Sequence, residues 1–143
     1  MNREIKFRMW HKKSKKMFDV ESINFKDRSL NMWNSVMYTL STFSLDDVIL
    51  MQYTGLHDKN GKEIYEGDAW EDEDGYYIIV WDEKEAGFLV DTYGIEEWLG
   101  ESGQECYGNK IEFISREPID YFNFSKIEII KNIYDNPELL GGE

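Results

Sequence analysis

Alternating apolar and polar residues near the start of the chain predict an antiparallel β-hairpin. Ile5, Phe7 and Met9 have the two-residue period of a half-buried strand over residues 3–10. The polar residues 11–16 are typical of a hairpin tip, and residues 17–25 supply the return strand. The alternation changes phase near Glu21, where we expect a β-bulge.

The next stretch, residues 27–43, fits two interpretations. Four apolar residues have the spacing of one face of a helix: Trp33, Val36, Met37 and Leu40. The serine and threonine residues over 39–42 favour a strand or a loop instead. Ser44, three residues before an aspartate, predicts the cap of a short helical turn that continues through Leu50.

A tight turn in the middle of the chain is the clearest local signal. Residues 49–56 are apolar and β-prone, and they lead into a turn that contains Asn60 and Gly61. Both residue types tolerate positive φ, so we expect them at the centre of a hairpin reversal. Residues 63–70 form the outgoing strand, with a kink or bulge at Gly67 and Asp68.

Further strands follow in the second half of the chain. Residues 76–81 are consecutively apolar or aromatic, which predicts a strand covered on both faces. A turn over residues 82–87 leads into the next strand, at 88–90. Residues 95–99 have the apolar spacing of one amphipathic helix turn. Residues 111–114 and 127–134 are further predicted strands.

The chain closes with helix-start signals. Asn136 supplies an N-cap and Pro137 the first position of a short C-terminal helix that carries Leu139 and Leu140. Many short strands separated by turns indicate a mainly β protein, folded as a small barrel or sandwich.

Length and composition agree with one folded domain, or one domain with an extension. The chain has 143 residues, of which 41% are hydrophobic and 15% aromatic, enough for a packed core. It has no apolar run of membrane-spanning length and no signal-peptide pattern. Cys106 is the single cysteine, which excludes an internal disulfide. We expect a cytoplasmic protein, since a single cysteine suits a reducing compartment.

The charge is unevenly distributed along the chain. The net charge is −13, and residues 66–105 hold 14 acidic residues against one basic residue, Lys84. The candidate acidic interaction surface comprises Glu71, Asp72, Glu73, Asp74, Asp82, Glu83 and Glu85. The first sixteen residues are basic, and the candidate basic contact comprises Arg8, Lys12, Lys13, Lys15 and Lys16.

Several kinds of catalytic or metal site lack the residues they need. The sequence around Asp72, Asp74 and Gly75 resembles part of a calcium loop, but tryptophans occupy its first and twelfth positions. The pair Glu4-x-Lys6 lacks the upstream aspartate of a nuclease motif. One cysteine and two histidines cannot complete a zinc tetrad. We expect no metal, no cofactor and no catalytic residues.

Three blocks, in order along the chain, carry a family resemblance. They are REIKFR from Arg3, MQYTGL from Met51 followed by DKNGKEIYEGD from Asp58, and NIYDNPELL from Asn132. The sequence resembles the YopX family of phages and prophages, whose function is uncharacterised. The chain departs from the family's pattern at Ala69, Trp70 and Lys131.

The resemblance implies an SH3-like β-barrel with an N-terminal β extension. We therefore assign residues 1–47 to the β-hairpin extension and 48–141 to the barrel core, either as two parts or as one integrated domain. Six residues of the resemblance are expected to serve turns and backbone conformation: Asn60, Gly61, Gly67, Asp68, Asn136 and Pro137.

Three functional hypotheses follow. The first is a non-enzymatic phage accessory protein that binds another protein through its acidic surface. The partner is a host or phage protein or, through head-to-tail contact of the basic and acidic regions, another copy of the chain. The second is a nucleic-acid-associated factor that uses the basic hairpin. The third, least favoured, is a metal-dependent enzyme that brings distant carboxylates together.

Overall fold

A computed structural model of the chain describes residues 4–99 and 105–137. The described residues are mainly β. The strands are β1 Phe7–His11, β2 Lys16–Asp19, β3 Ser22–Asn24, β4 Ser29–Asn34, β5 Thr39–Ser44, β6 Val48–His57, β7 Glu63–Tyr65, β8 Asp68–Asp72, β9 Gly75–Asp82, β10 Gly87–Leu99, β11 Glu105–Pro118 and β12 Lys131–Asn132. Short 3₁₀ helices span Leu45–Asp47, Ile119–Tyr121 and Phe124–Lys126. None of the helices in these two ranges is long and apolar enough to cross a membrane.

The chain divides into two compact units. The first unit comprises Met1–His57 with Glu63–Glu66, and the second comprises Asp58–Lys62 with Gly67–Glu143. The division into residues 1–47 and 48–141 stays a prediction.

The first unit contains two small antiparallel sheets. Their strand orders are β2-β1-β6-β7 and β3-β4-β5. Met9, Leu30 and Val48 are buried together at the centre of a cluster of apolar side chains. The change of phase near Glu21 is not a bulge within one strand. Strand β2 ends at Asp19, and the chain moves to the other sheet, so the side-chain alternation restarts.

The ambiguous stretch is a hairpin, and the helix interpretation was wrong. Strands β4 and β5 pair with Trp33 opposite Leu40 and Leu30 opposite Phe43. Cross-strand partners share one face of a sheet, so residues seven apart in sequence lie side by side, as they also would on a helix. The helical turn after Ser44 is confirmed but short. Its cap hydroxyl accepts from the Asp46 amide, and β6 begins at Val48.

The second unit is a five-stranded antiparallel sheet that curls into a half-barrel. Its strand order is β11-β10-β9-β8-β12, which makes β9 the central strand. The predicted helix turn at 95–99 was wrong, because the pairing of β10 with β11 continues through these residues. Of the strand that was predicted at residues 127–134, only the two residues of β12 form a strand. The predicted C-terminal helix with Leu139 and Leu140 lies outside the described residues.

The turn after β6 has its predicted place but a different geometry. Gly61 has a left-handed φ of +80°, whereas Asn60 is not left-handed. The second stabilising element is Asp58, whose carboxylate accepts from the backbone amides of Asn60 and Lys62 at 2.8 and 2.9 Å. Its other oxygen accepts from the Ile129 amide at 3.0 Å. An aspartate therefore shapes the turn and ties it to the end of the chain.

Gly67 and Asn136 both take part in hydrogen bonds with the backbone. Gly67 has a left-handed φ of +87°, donates its amide to Ile79 and accepts from Ile133. Asp68 is buried in β8. The side-chain oxygen of Asn136 accepts from the backbone amide of Asn132.

Replacing Asp58 with asparagine is expected to lower the free energy of unfolding at neutral pH by about 1–3 kcal/mol. Burial raises the pKa of Asp58, but its backbone amide donors outweigh that effect and hold the pKa below its ordinary value. The stabilisation is therefore present above about pH 4 and is lost as the pH falls further. Denaturant titrations at several pH values should show that the difference in free energy of unfolding between D58N and wild type becomes smaller as the pH falls. Glu73→Gln, an exposed turn residue, is the control.

Replacing Gly75 with alanine is expected to destabilise the protein by more than about 2 kcal/mol. The φ of Gly75 is +151°, and an added Cβ would lie 1.9 Å from the backbone oxygen of Tyr93 on the neighbouring strand. The matched control is Gly61→Ala, which also has positive φ but meets open space. If thermal unfolding showed that G61A destabilises the protein as much as G75A or more, the steric explanation would be contradicted.

Candidate functional site

The predicted acidic surface is divided between two ends of strand β9. Glu71, Asp72, Glu73 and Asp74 end β8 and form the turn before β9, whereas Asp82, Glu83 and Glu85 lie at its far end. A strand of eight residues places these ends about 23 Å apart. The seven residues therefore form two separate clusters.

The first cluster is tied to an aromatic side chain. The Asp72 carboxylate accepts from the Asp74 amide at 2.9 Å and from the Tyr77 hydroxyl at 3.0 Å. Burial and this carboxylate together raise the pKa of Tyr77 to about 12. Asp72 therefore holds a neutral phenol in place.

The second cluster is partly internal to the sheet. Arg116 of β11 donates to Asp82 and also to Asp91 of β10, which is buried. The Glu85 amide and Arg116 hold the pKa of Asp82 below its ordinary value. Asp82 is thus used to join strands, and the exposed acids at this end are Glu83 and Glu85.

The basic hairpin is exposed, but Arg8 is not part of that surface. Lys12, Lys13, Lys15 and Lys16 are exposed at the β1–β2 turn. Arg8 is buried, and its side chain packs against the ring of Tyr65. Its guanidinium lies 4.8 Å from the Tyr65 ring centroid and donates to the Glu66 carbonyl, so its role is structural.

A groove lined with aromatic rings lies in the second unit and was missed by the sequence reasoning. Trp70 and Tyr77 stack with centroids 5.1 Å apart, and Phe122 meets both rings edge-on at 5.5 and 5.6 Å. The groove has a volume of about 410 Å³. Trp70 and Tyr77 are cross-strand partners of β8 and β9, a relation visible only once the register is known. Nothing in the sequence indicated Phe122.

Charged side chains of both signs surround these rings. The remaining lining residues are Lys59, Glu71, Asp72, Lys126, Ile127, Glu128 and Ile130. Lys59 pairs with Glu128 at 3.5 Å, and Lys131 pairs with Glu71 at 3.4 Å. The two carboxylates and Lys59 are exposed and Lys131 is half-buried, so both ion pairs are weak and a ligand can replace the lysines as partners of the carboxylates.

The groove brings together aromatic rings and carboxylates, which are groups that commonly bind ligands. Aromatic faces attract cations and planar groups, and carboxylates at the rim accept their hydrogen bonds. In residues 4–99 and 105–137, no three His, Cys, Asp or Glu side chains converge as metal ligands. His57 is exposed and contacts the Tyr53 hydroxyl at 3.3 Å, while His11 contacts Ser14.

The pKa of Tyr77 should fall on replacing Asp72 with asparagine but should stay above its ordinary value of about 10, because burial remains. The chemical shifts of the Tyr77 ring carbons, followed by NMR as a function of pH, give this pKa. Glu73→Gln, in the same turn, is the control and should leave the Tyr77 pKa unchanged. An unchanged pKa in D72N would show that the carboxylate contributes nothing.

Comparison with known proteins supplies a family and a related fold. The family model described as "YopX protein" matches residues 6–141, nearly the whole chain. No curated protein matches. The crystal structure of protein EF1440 from Enterococcus faecalis is 20% identical, with a TM-score of 0.58 over 97% of this chain and 99% of that one. That likeness concerns the fold alone, whereas the family match carries the assignment. The chain belongs to the YopX protein family.

Proposed function

We propose that this protein is a non-enzymatic protein-binding module whose groove holds a basic, extended segment of a partner protein. The observation that carries the proposal is the groove itself. It combines the half-buried ring of Tyr77, which stacks on the buried Trp70, with carboxylates at its rim. Aromatic-lined grooves are a recurrent way of binding extended peptides, since a flat ring contacts such a chain without needing a deep pocket.

The charge of the second unit supports a basic partner. The sequence of the first unit holds nine basic and eight acidic residues, whereas that of the second holds seven basic and twenty-one acidic residues. The unit that contains the groove therefore has a net charge of −14, whereas the first unit has a net charge of +1. Such a field attracts cationic partners and speeds their association, most strongly at low salt.

Arginine fits the groove better than lysine does. A planar guanidinium stacks on a phenol face such as that of Tyr77 and still donates two parallel hydrogen bonds to a carboxylate. Glu71 and Glu128 each have an exposed carboxylate beside the rings. We therefore expect a partner segment with arginine next to apolar or proline residues.

We further propose that the curled sheet of the second unit is an SH3-like barrel and that the protein is a phage or prophage accessory factor of the bacterial cytoplasm. The antiparallel strand order β11-β10-β9-β8-β12 and its curvature support the first part. The family membership, together with the resemblance in sequence, supports the second.

Selection from a library of random peptides displayed as extended chains should enrich arginine-containing sequences. Calorimetry on an enriched peptide should show that E71Q with E128Q weakens binding by about tenfold, or ~1.4 kcal/mol. The control is E83Q with E85Q, which removes the same charge at the far end of β9. Equal losses of peptide affinity in the two double variants would show that net charge alone determines binding. That result would contradict binding in the groove. Binding that does not depend on salt would also contradict it.

A second candidate is nucleic-acid contact by the basic hairpin. It is favoured by one observation: Lys12, Lys13, Lys15 and Lys16 are all exposed on one turn of a unit that is almost neutral. A gel shift with single- and double-stranded DNA and RNA should weaken steeply as salt rises. The shift should disappear when all four lysines are changed to glutamine. A shift that survives this change would reject the hairpin as the contact.

A further inference from the structure

The β4–β5 hairpin carries no charge. Residues 29–44 include no Asp, Glu, Lys or Arg, whereas 31% of the whole chain is charged. Such a stretch is rare on the surface of a protein with a net charge of −13, where charged side chains normally maintain solubility.

The tip of this hairpin presents large apolar side chains to solvent. The exposed fractions are 84% for Val36, 79% for Tyr38, 67% for Met37, 52% for Leu40 and 51% for Trp33. The tip is a defined turn, since the Asn34 side chain accepts from the amides of Val36 and Met37, each at 3.0 Å. The apolar residues are therefore held outward by the backbone. Large exposed apolar patches on soluble proteins mark interaction sites.

Strand β5 also has an exposed edge. It is the last strand of the sheet β3-β4-β5, and in the described part of the chain it pairs with β4 alone. Proteins normally protect such edges with lysine, proline or a bulge. Strand β5 has the sequence TLSTFS and a regular register with β4, so it has none of these protections.

We propose that the hairpin is a self-association surface and that its occupant is the same hairpin of a second copy. The charges decide between occupants. A two-fold contact brings a surface against itself, so any charged patch would meet its own like charges, and the uncharged hairpin avoids this cost. A bilayer with anionic headgroups is disfavoured, because a net charge of −13 is repelled and the hairpin offers no lysine or arginine to offset it.

In this dimer the two β5 edges pair antiparallel, which continues one sheet into the other. Trp33, Met37 and Leu40 then pack beside the new strand pair. A contact made by one hairpin from each copy is small, so the dimer dissociates on dilution. It is distinct from the head-to-tail contact between basic and acidic regions, which would weaken as salt rises. Apolar contact persists or strengthens with salt.

Sedimentation equilibrium of the full chain over micromolar to millimolar concentration, at low and high salt, tests the proposal. The expected result is a rise from the monomer mass to twice that mass, undiminished at high salt. The double variant Val36→Glu with Met37→Glu should remain a monomer at every concentration, with unchanged circular dichroism. Both positions are exposed, so the monomer should fold normally. The control, Lys13→Gln with Lys15→Gln, makes the same change in net charge at another hairpin tip and should still dimerise.

Other outcomes would overturn the proposal. These are a wild-type monomer throughout, dimerisation that persists in V36E/M37E, dimerisation lost equally in the lysine control, or dissociation by salt. Hydrogen exchange gives a second readout, since β5 amides should be protected at least about tenfold more at high than at low protein concentration. Flotation of the wild type with phosphatidylserine vesicles, abolished in V36E/M37E, would instead assign the tip to a membrane.

Discussion

The carboxylate of Asp58 connects backbone that is seventy-one residues apart, and the candidate site depends on this connection. The segment of residues 119–130 has only two short 3₁₀ helices, so it has little regular hydrogen bonding of its own. Hydrogen bonds to the turn at residues 58–62 hold this segment in place instead. The Asp58 side chain accepts from the Ile129 amide, the Lys59 amide donates to the Ile127 carbonyl, and the Lys62 ammonium donates to the Ile129 carbonyl. Because Phe122, Lys126 and Glu128 belong to this segment, the same turn helps position one wall of the groove.

The strands could be predicted from local patterns, and the errors have identifiable physical causes. A two-residue period located β1 and β2, and apolar runs bounded by turn residues located β6 and β9. The helix interpretation failed at Trp33 and Leu40, because cross-strand partners seven residues apart imitate helical spacing. It failed again at residues 95–99, where pairing with β11 determines the conformation. Both are effects of tertiary pairing on sequences with weak local preference.

The candidate site was less accessible from sequence than the fold. Charge counting found the acidic residues but treated neighbours in sequence as neighbours in space, and an eight-residue strand separates them. It also included Arg8, which is buried against Tyr65, a residue fifty-seven positions further along the chain. The groove needs the β8–β9 register and an irregular segment fifty residues later. Residues that are so far apart in the sequence form no recognisable motif in it, even though the fold brings them together in one site.

The two units also differ in electrostatic character. The acidic excess lies in the unit with the groove, while the first unit is nearly neutral and carries both the lysine-rich turn and the uncharged hairpin. The two units therefore present surfaces of different chemical character. An acidic unit produces a long-range electrostatic field, whereas apolar contact acts only at short range.

The path of the chain between the units has a consequence for biosynthesis. The second unit takes residues 58–62 from between β6 and β7 of the first, so no single cut in the backbone separates the two. A nascent chain can close the first unit only after residue 66 has left the ribosome. Asp58, in the turn at residues 58–62, gains its last hydrogen-bond donor only when the backbone amide of Ile129 is available. The hydrogen bonds of the buried carboxylate are thus completed only after residue 129 has left the ribosome.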